Sequence, residues 1–237
     1  MFPDRAPSNP IFCALDRADP EAVLGLARQL RGRVGGFKLG LEFFLANGPD
    51  GVRAVAAEGM PLFLDLKLHD IPNTVAGAVR AIARLPVAMT TLHASGGAAM
   101  LRAARRARDE SGTPLRLLAV TVLTSLEEPD LAALGMTGEV TDRVLRLAAV
   151  ALEAGIDGLV CSPLEVAAVR ARFGDAPLLV VPGIRPAAGP DDQKRTASAS
   201  AALGAGADIL VIGRPITAAA DPRAAADGIR RGLAEAV

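Results

Sequence analysis

Short, almost uninterrupted apolar runs recur along the chain at residues 11–15, 34–39, 62–68, 88–93, 115–123, 158–161, 177–181 and 208–212. Each has strand length and little alternation of polarity, as expected for parallel strands buried on both faces. Between them, apolar residues return every three or four positions, which predicts amphipathic helices. One opens at Pro20 and continues through Val23, Leu26, Ala27 and Leu30, and another runs from Glu42 to about Glu58. A third follows Pro72, with Asn73 or Thr74 as its cap and Val75, Val79 and Ile82 on its apolar face. The turn Ala94-Ser95-Gly96-Gly97 leads into a helix with Arg102, Arg105, Arg106 and Arg108 on its wet faces. Further helices are predicted over 141–154, from Pro163, after a polar loop at 187–193, and at the C-terminal end.

Eight strands alternating with helices predict a (β/α)8 TIM barrel, read as a single domain spanning 1–237. The competing doubly wound sheet would want G-x-G-x-x-G after its first strand, where this chain has Asp16-Arg17-Ala18-Asp19.

Composition narrows the function classes. Lys and Arg total 26 against 26 Asp and Glu, and Trp and Tyr are absent, so neither a nucleic-acid surface nor a base-stacking platform is indicated. No apolar run reaches the ~18 residues of a membrane span. Residues 1–7 carry no apolar signal-peptide core. Cys13 and Cys161 lack CxxC spacing and read as reduced thiols. The expectation is a soluble cytoplasmic protein.

The chemistry concentrates in Leu62-Phe63-Leu64-Asp65-Leu66-Lys67-Leu68-His69-Asp70-Ile71-Pro72-Asn73-Thr74. Alternation along a strand puts Asp65 and Lys67 on one face and Leu64, Leu66 and Leu68 on the other. Asp70 falls in the following turn, free to face Lys67 or a neighbour. Charges inside a buried run cost several kcal/mol when uncompensated, which favours a functional reading over a structural ion pair. Asp16, Lys38, Thr124, Arg185 and Arg214 also fall at or just past predicted strand ends, the end of a barrel where active sites are built. Gly183-Ile184-Arg185 and Gly213-Arg214 follow the last two strands, where barrels often bind phosphate, and Gln193 could reach over such a group. His69 and His93 read as structural or interface residues. Two histidines make no His-rich metal site, although a carboxylate-bound Mg²⁺ stays open, and no G-x-S-x-G elbow occurs.

The stretch Asp65-Leu66-Lys67-Leu68-His69-Asp70-Ile71-Pro72-Asn73-Thr74 resembles the signature of the orotidine 5'-phosphate decarboxylase family, of the bacterial type. The likeness extends through Ala14-Leu15-Asp16, Phe37-Lys38-Leu39-Gly40, His93 to Gly97, Val122 to Ser125, Pro182 to Pro186, Asp192-Gln193 and Ile212 to Pro215. It implies decarboxylation of orotidine 5'-monophosphate in pyrimidine biosynthesis, with no cofactor or metal. By resemblance, Lys67 donates the proton, Asp65 lies against the scissile carboxylate, and Lys38 and Asp70 complete an alternating charge array. Asp16 and Lys38 would hold ribose hydroxyls, with Thr74 and Ile71 on the same pocket, and Thr124 would meet the pyrimidine. Arg185, Gln193, Gly213 and Arg214 would surround the phosphate. The family pattern also implies a homodimer in which Asp70 to Thr74 reach the partner's site. One departure is visible: some members place a Tyr on the phosphate loop, and this chain has none.

Two other classes stay open at this point. One is a Mg²⁺-dependent barrel that decarboxylates or condenses sugar phosphates through an Asp-x-Lys-x-x-Asp stretch. The other is a non-catalytic nucleotide-binding protein.

Overall fold

The structure is a computed structural model that describes residues 7–185 and 195–234. Eight parallel strands close into a barrel in chain order, β1 (Ile11–Ala14), β2 (Gly36–Leu39), β3 (Leu62–Leu68), β4 (Met89–His93), β5 (Arg116–Val120), β6 (Gly158–Val160), β7 (Leu178–Val181) and β8 (Ile209–Ile212), with β8 pairing back to β1. The helices are α1 (Pro20–Leu30), α2 (Leu41–Ala56), α3 (Pro72–Ile82), α4 (Gly97–Glu110), α5 (Glu128–Ala133), α6 (Val140–Glu153), α7 (Val166–Phe173), α8 (Ala199–Gly204), α9 (Arg214–Thr217) and α10 (Pro222–Ala234). This is the (β/α)8 barrel that the apolar runs predict.

Alternation along the strands sorts the core into two layers. Phe12, Ala14, Phe63, Met89, Leu118, Val180 and Val211 pack with one another, filling the barrel interior. Their sequence neighbours Ile11, Cys13, Leu62, Leu64, Leu117 and Leu179 face outward onto Val23, Leu30, Val79 and Leu101 of the helices. Gly36 leaves room inside for the Phe12 ring, which a Cβ would meet at 2.3 Å. Among the described residues no helix is long and apolar enough to cross a membrane.

Several boundaries differ from the sequence reading. β5 stops at Val120 because β6 has only three residues to offer, and Thr121 closes the ladder with its N–H and hydroxyl both on the Val160 carbonyl. α7 begins at Val166, not Pro163, since the Glu165 carboxylate accepts from the Ser162 N–H and hydroxyl and holds a turn there. Neither Asn73 nor Thr74 caps α3. Ile71 is the cap position, and Pro72, which needs no partner for a missing N–H, is the first helical residue. α2 is kinked where Gly48 takes φ 58 before Pro49. The short α5, with a reciprocal Glu127–Asp130 cap, and α9 were not anticipated.

Candidate active site

A cavity of about 400 Å³ opens at the C-terminal ends of the strands. Asp16 reaches it from just beyond β1, Lys38 from β2, Asp65 and Lys67 from β3, Thr124 from beyond β5, Arg185 from beyond β7, and Gly213 and Arg214 from beyond β8. Phe63, Val120, Val122, Leu123, Val160 and Val211 make its apolar wall. Among the described residues, Arg17, Lys38, Lys67, Arg185 and Arg214 line the cavity with the carboxylates of Asp16 and Asp65, a set that suits an anionic ligand carrying an apolar or planar body.

The charged groups form a connected line. Lys38 Nζ donates to both oxygens of Asp16 at 2.8 Å and stands 3.7 Å from Asp65 Oδ2. Lys67 Nζ donates to the same Asp65 oxygen at 2.7 Å, while Thr91 of β4 donates to Asp65 Oδ1 at 2.8 Å. Burial by itself pushes the Asp65 carboxyl up, but Lys38, Lys67 and these hydrogen bonds overcome it and hold the group below the ordinary Asp value, so it is ionised at neutral pH. Gly40 permits the Asp16–Lys38 contact: a Cβ there would lie 2.5 Å from Asp16 Oδ1 and 3.1 Å from Lys38 Nζ.

Not every candidate is brought together within one chain. Asp70, Ile71, Asn73 and Thr74 are exposed at the start of α3 and do not line the cavity; the Asp70 carboxylate accepts from the Ile71 N–H at 2.6 Å. Gln193 lies outside the described residues. His69 and His93 stack at 5.2 Å between ring centroids, and burial, then His69 and Lys67, push the His93 imidazole below its usual range towards the neutral form. Cys161 lines the cavity, but burial raises its thiol to about 12, leaving it protonated and inert. Among the described residues no group of three or more His, Cys, Asp or Glu side chains is placed to share a metal ion.

Two features were missed. Arg195 is buried beneath the rim, where it pairs with the buried Glu165 and donates to the carbonyls of Val122 and Leu123, just before Thr124. The Arg185 N–H bonds to the Ala197 carbonyl and the Ala197 N–H to the Gly183 carbonyl, which seats this segment against the end of β7. The second is Thr91, buried on β4. Its signal was present, since consecutive threonines in a buried strand must each find an acceptor.

The model of the orotidine 5'-phosphate decarboxylase / HUMPS family matches residues 9–229. The chain belongs to this family. An orotidine 5'-phosphate decarboxylase of Paramagnetospirillum magneticum is 54% identical over 231 residues, covering 95% of this chain and 98% of the relative. One from Novosphingobium aromaticivorans is 52% identical over 227 residues, covering 95% of this chain and all of the relative. Among solved structures, an orotidine 5'-phosphate decarboxylase of Lactobacillus acidophilus is 37% identical, with a TM-score of 0.84 over 95% of this chain and 99% of that one. In this member of the orotidine 5'-phosphate decarboxylase / HUMPS family, the stretch from Asp65 to Thr74 is therefore divided, with Asp65 and Lys67 in the cavity and Asp70 to Thr74 on the surface.

Proposed function

We propose that the chain converts orotidine 5'-monophosphate to uridine 5'-monophosphate and CO2 in pyrimidine biosynthesis, without cofactor, as a single-barrel cytoplasmic enzyme. The observation that carries this reading is the Asp65 carboxylate held between two ammonium groups, 2.7 Å from Lys67 and 3.7 Å from Lys38, inside a cavity that also holds Arg185 and Arg214. The nearly full-length relatives named for this activity support it.

The chemistry follows from the groups present. The bond from ring C6 to the carboxylate breaks, CO2 leaves, and the electron pair stays on C6. The ring delocalises that pair poorly, so a fixed positive charge beside it lowers the barrier. Lys67 supplies the charge and then its proton, forming the C6–H bond and ending as an amine that solvent reprotonates. Asp65 fixes the Lys67 ammonium and Lys38 balances Asp65. Asp16 and Lys38 meet the ribose and Thr124 the pyrimidine, while Arg185, Gln193, Gly213 and Arg214 take the phosphate. Binding energy from the remote phosphate helps hold the reacting atoms in place. Asp70, Ile71 and Thr74 complete the neighbouring site in a homodimer. Ile71, beside Asp70, is 67% exposed, which supports a surface that a second copy covers.

The direct test is to mix purified protein with orotidine 5'-monophosphate, follow the pyrimidine absorbance and measure CO2. Stoichiometric conversion, unchanged by EDTA, is expected. No conversion, or activity abolished by EDTA and restored by Mg²⁺, would refute the reading and favour the sugar-phosphate chemistry.

A further inference from the structure

We propose that Thr91 is a positioning residue for the reaction assigned above: its hydroxyl locks the Lys67 backbone and the Asp65 carboxylate into one register. The inference rests on that reading for its consequence, but on geometry for its existence.

β3 and β4 begin in step, with Phe63 opposite Met89 and Leu64 opposite Thr90, yet Leu68 faces Leu92. Four steps along β3 thus span only two along β4, and Asp65, Leu66 and Lys67 fill the irregular stretch. There Lys67 adopts φ 51, the only non-glycine residue at positive φ among those described. A left-handed lysine in a strand is strained and persists only where its surroundings dictate it. The surroundings here are side chains of β4. Thr90 donates from Oγ1 to the Leu64 carbonyl at 2.9 Å, and Thr91 Oγ1 accepts from the Lys67 N–H at 2.9 Å.

The direction of the Thr91 hydrogen bonds follows from its partners. A backbone N–H can only donate and an ionised carboxylate can only accept, so the single hydroxyl proton must point at Asp65 Oδ1, 2.8 Å away. That occupies Oδ1 and leaves Oδ2 to the two ammonium groups. One buried atom therefore fixes both the strained backbone that aims Lys67 and the rotation of the carboxylate that receives it. Thr91 does not line the cavity, so its effect on the chemistry passes through these two residues.

The test compares Thr91→Val, which keeps the volume and loses the hydroxyl, with Thr91→Ser, which keeps the hydroxyl. Thr91→Val should lower kcat by roughly 10²-fold, the scale for a small misplacement of a reacting group, with KM and the Kd for uridine 5'-monophosphate little changed. Thr91→Ser should restore most of that loss. Independently of turnover, ¹³C NMR titration of the Asp65 carboxyl should show a higher pKa in Thr91→Val than in wild type or Thr91→Ser, because a hydrogen bond to the charged form is gone. The charged and titratable groups around Asp65 are Lys38 from β2, Lys67 from its own strand and His93 from β4, with Asp16 paired to the far side of Lys38, and the substitutions alter none of them. Wild-type turnover by Thr91→Val, equal losses in the Val and Ser variants, or an unmoved Asp65 titration would each overturn the proposal. If Thr91→Val does not fold, Thr91→Cys takes its place: a thiol of similar size is a weak donor, so kcat should fall below that of Thr91→Ser, and equality with wild type would overturn the role. If wild-type protein fails to decarboxylate orotidine 5'-monophosphate, the functional reading falls, and the Asp65 titration alone decides the hydroxyl's part.

Discussion

Lys67 Nζ and Asp65 Oδ2 lie 2.7 Å apart, two positions apart on the same face of β3, and the ammonium is carried by a backbone that takes φ 51 at Lys67. Asp65 is nearly buried, and its neighbours Lys38 and Lys67 hold its carboxyl below the ordinary Asp value of 3.8. A carboxyl that titrates lower in the folded state than in the unfolded chain stabilises the fold fully above the unfolded value and loses that contribution as pH falls through the folded one. Asp65→Asn should therefore lower the unfolding free energy at pH 7 by about 3 kcal/mol, since it takes from the Lys67 ammonium its carboxylate and leaves Lys38 paired with Asp16 alone. The gap between wild type and variant should narrow below about pH 4. Urea unfolding at a series of pH values measures it, and a gap independent of pH would remove Asp65 from the ion pairs described.

Much of this was legible in the sequence, for physical reasons. Parallel strands covered on both faces read as continuous apolar runs, so the eight strands announce themselves, and the chain order of a barrel follows from their alternation with helices. Charged residues at strand ends conflict with burial, which makes Lys38, Asp65 and Lys67 conspicuous. What stayed hidden depends on tertiary partners. Arg195 and Glu165 stand 30 residues apart, and nothing local pairs them. Thr91 reads as an ordinary β-branched strand residue until the β3–β4 register slip puts its hydroxyl under Lys67. The direction of Asp70 depends on a turn whose start is set by Pro72, and alternation along β3 says nothing about it.

Lys67→Ala should leave the fold intact and lower kcat by about 10⁴-fold or more, combining the loss of a general acid with the loss of a charge placed for the transition state. Lys67 sits on the cavity side with 31% of its side chain exposed, so its removal disturbs the core little. Rapid-quench or absorbance assays with orotidine 5'-monophosphate give the rate, and circular dichroism checks the fold. A variant keeping a tenth of wild-type turnover would contradict the role of Lys67.

Arg214 lines the cavity directly after Gly213 at the end of β8, on the wall assigned to the phosphate. Arg214→Ala should reduce kcat/KM for orotidine 5'-monophosphate by roughly 10²-fold, about 3 kcal/mol, the scale of a charge-assisted contact in a desolvated site. With orotidine, which lacks the phosphate, the same substitution should change kcat/KM by less than about threefold. Equal losses on the two substrates would place Arg214 away from the phosphate.

Asp70 lies three residues beyond Lys67 but outside the cavity of its own chain, on an exposed segment with Ile71 and Thr74. If it serves the neighbouring subunit, a dimer of one Lys67→Ala chain and one Asp70→Ala chain has both lesions in one site and neither in the other. If it serves its own chain, both sites are broken. Each mutant homodimer should be nearly inactive if, as proposed, Asp70 completes the charge array around a Lys67 ammonium. Unfolding the two variants together and refolding them makes about half the dimers hybrid, each with one intact site, so roughly a quarter of wild-type activity should return if the sites are independent. Each variant refolded alone is the control, and native mass spectrometry counts the hybrids. Hybrids formed without recovered activity would assign Asp70 to its own chain, which would then require the segment from Asp70 to Thr74 to turn inward when substrate binds.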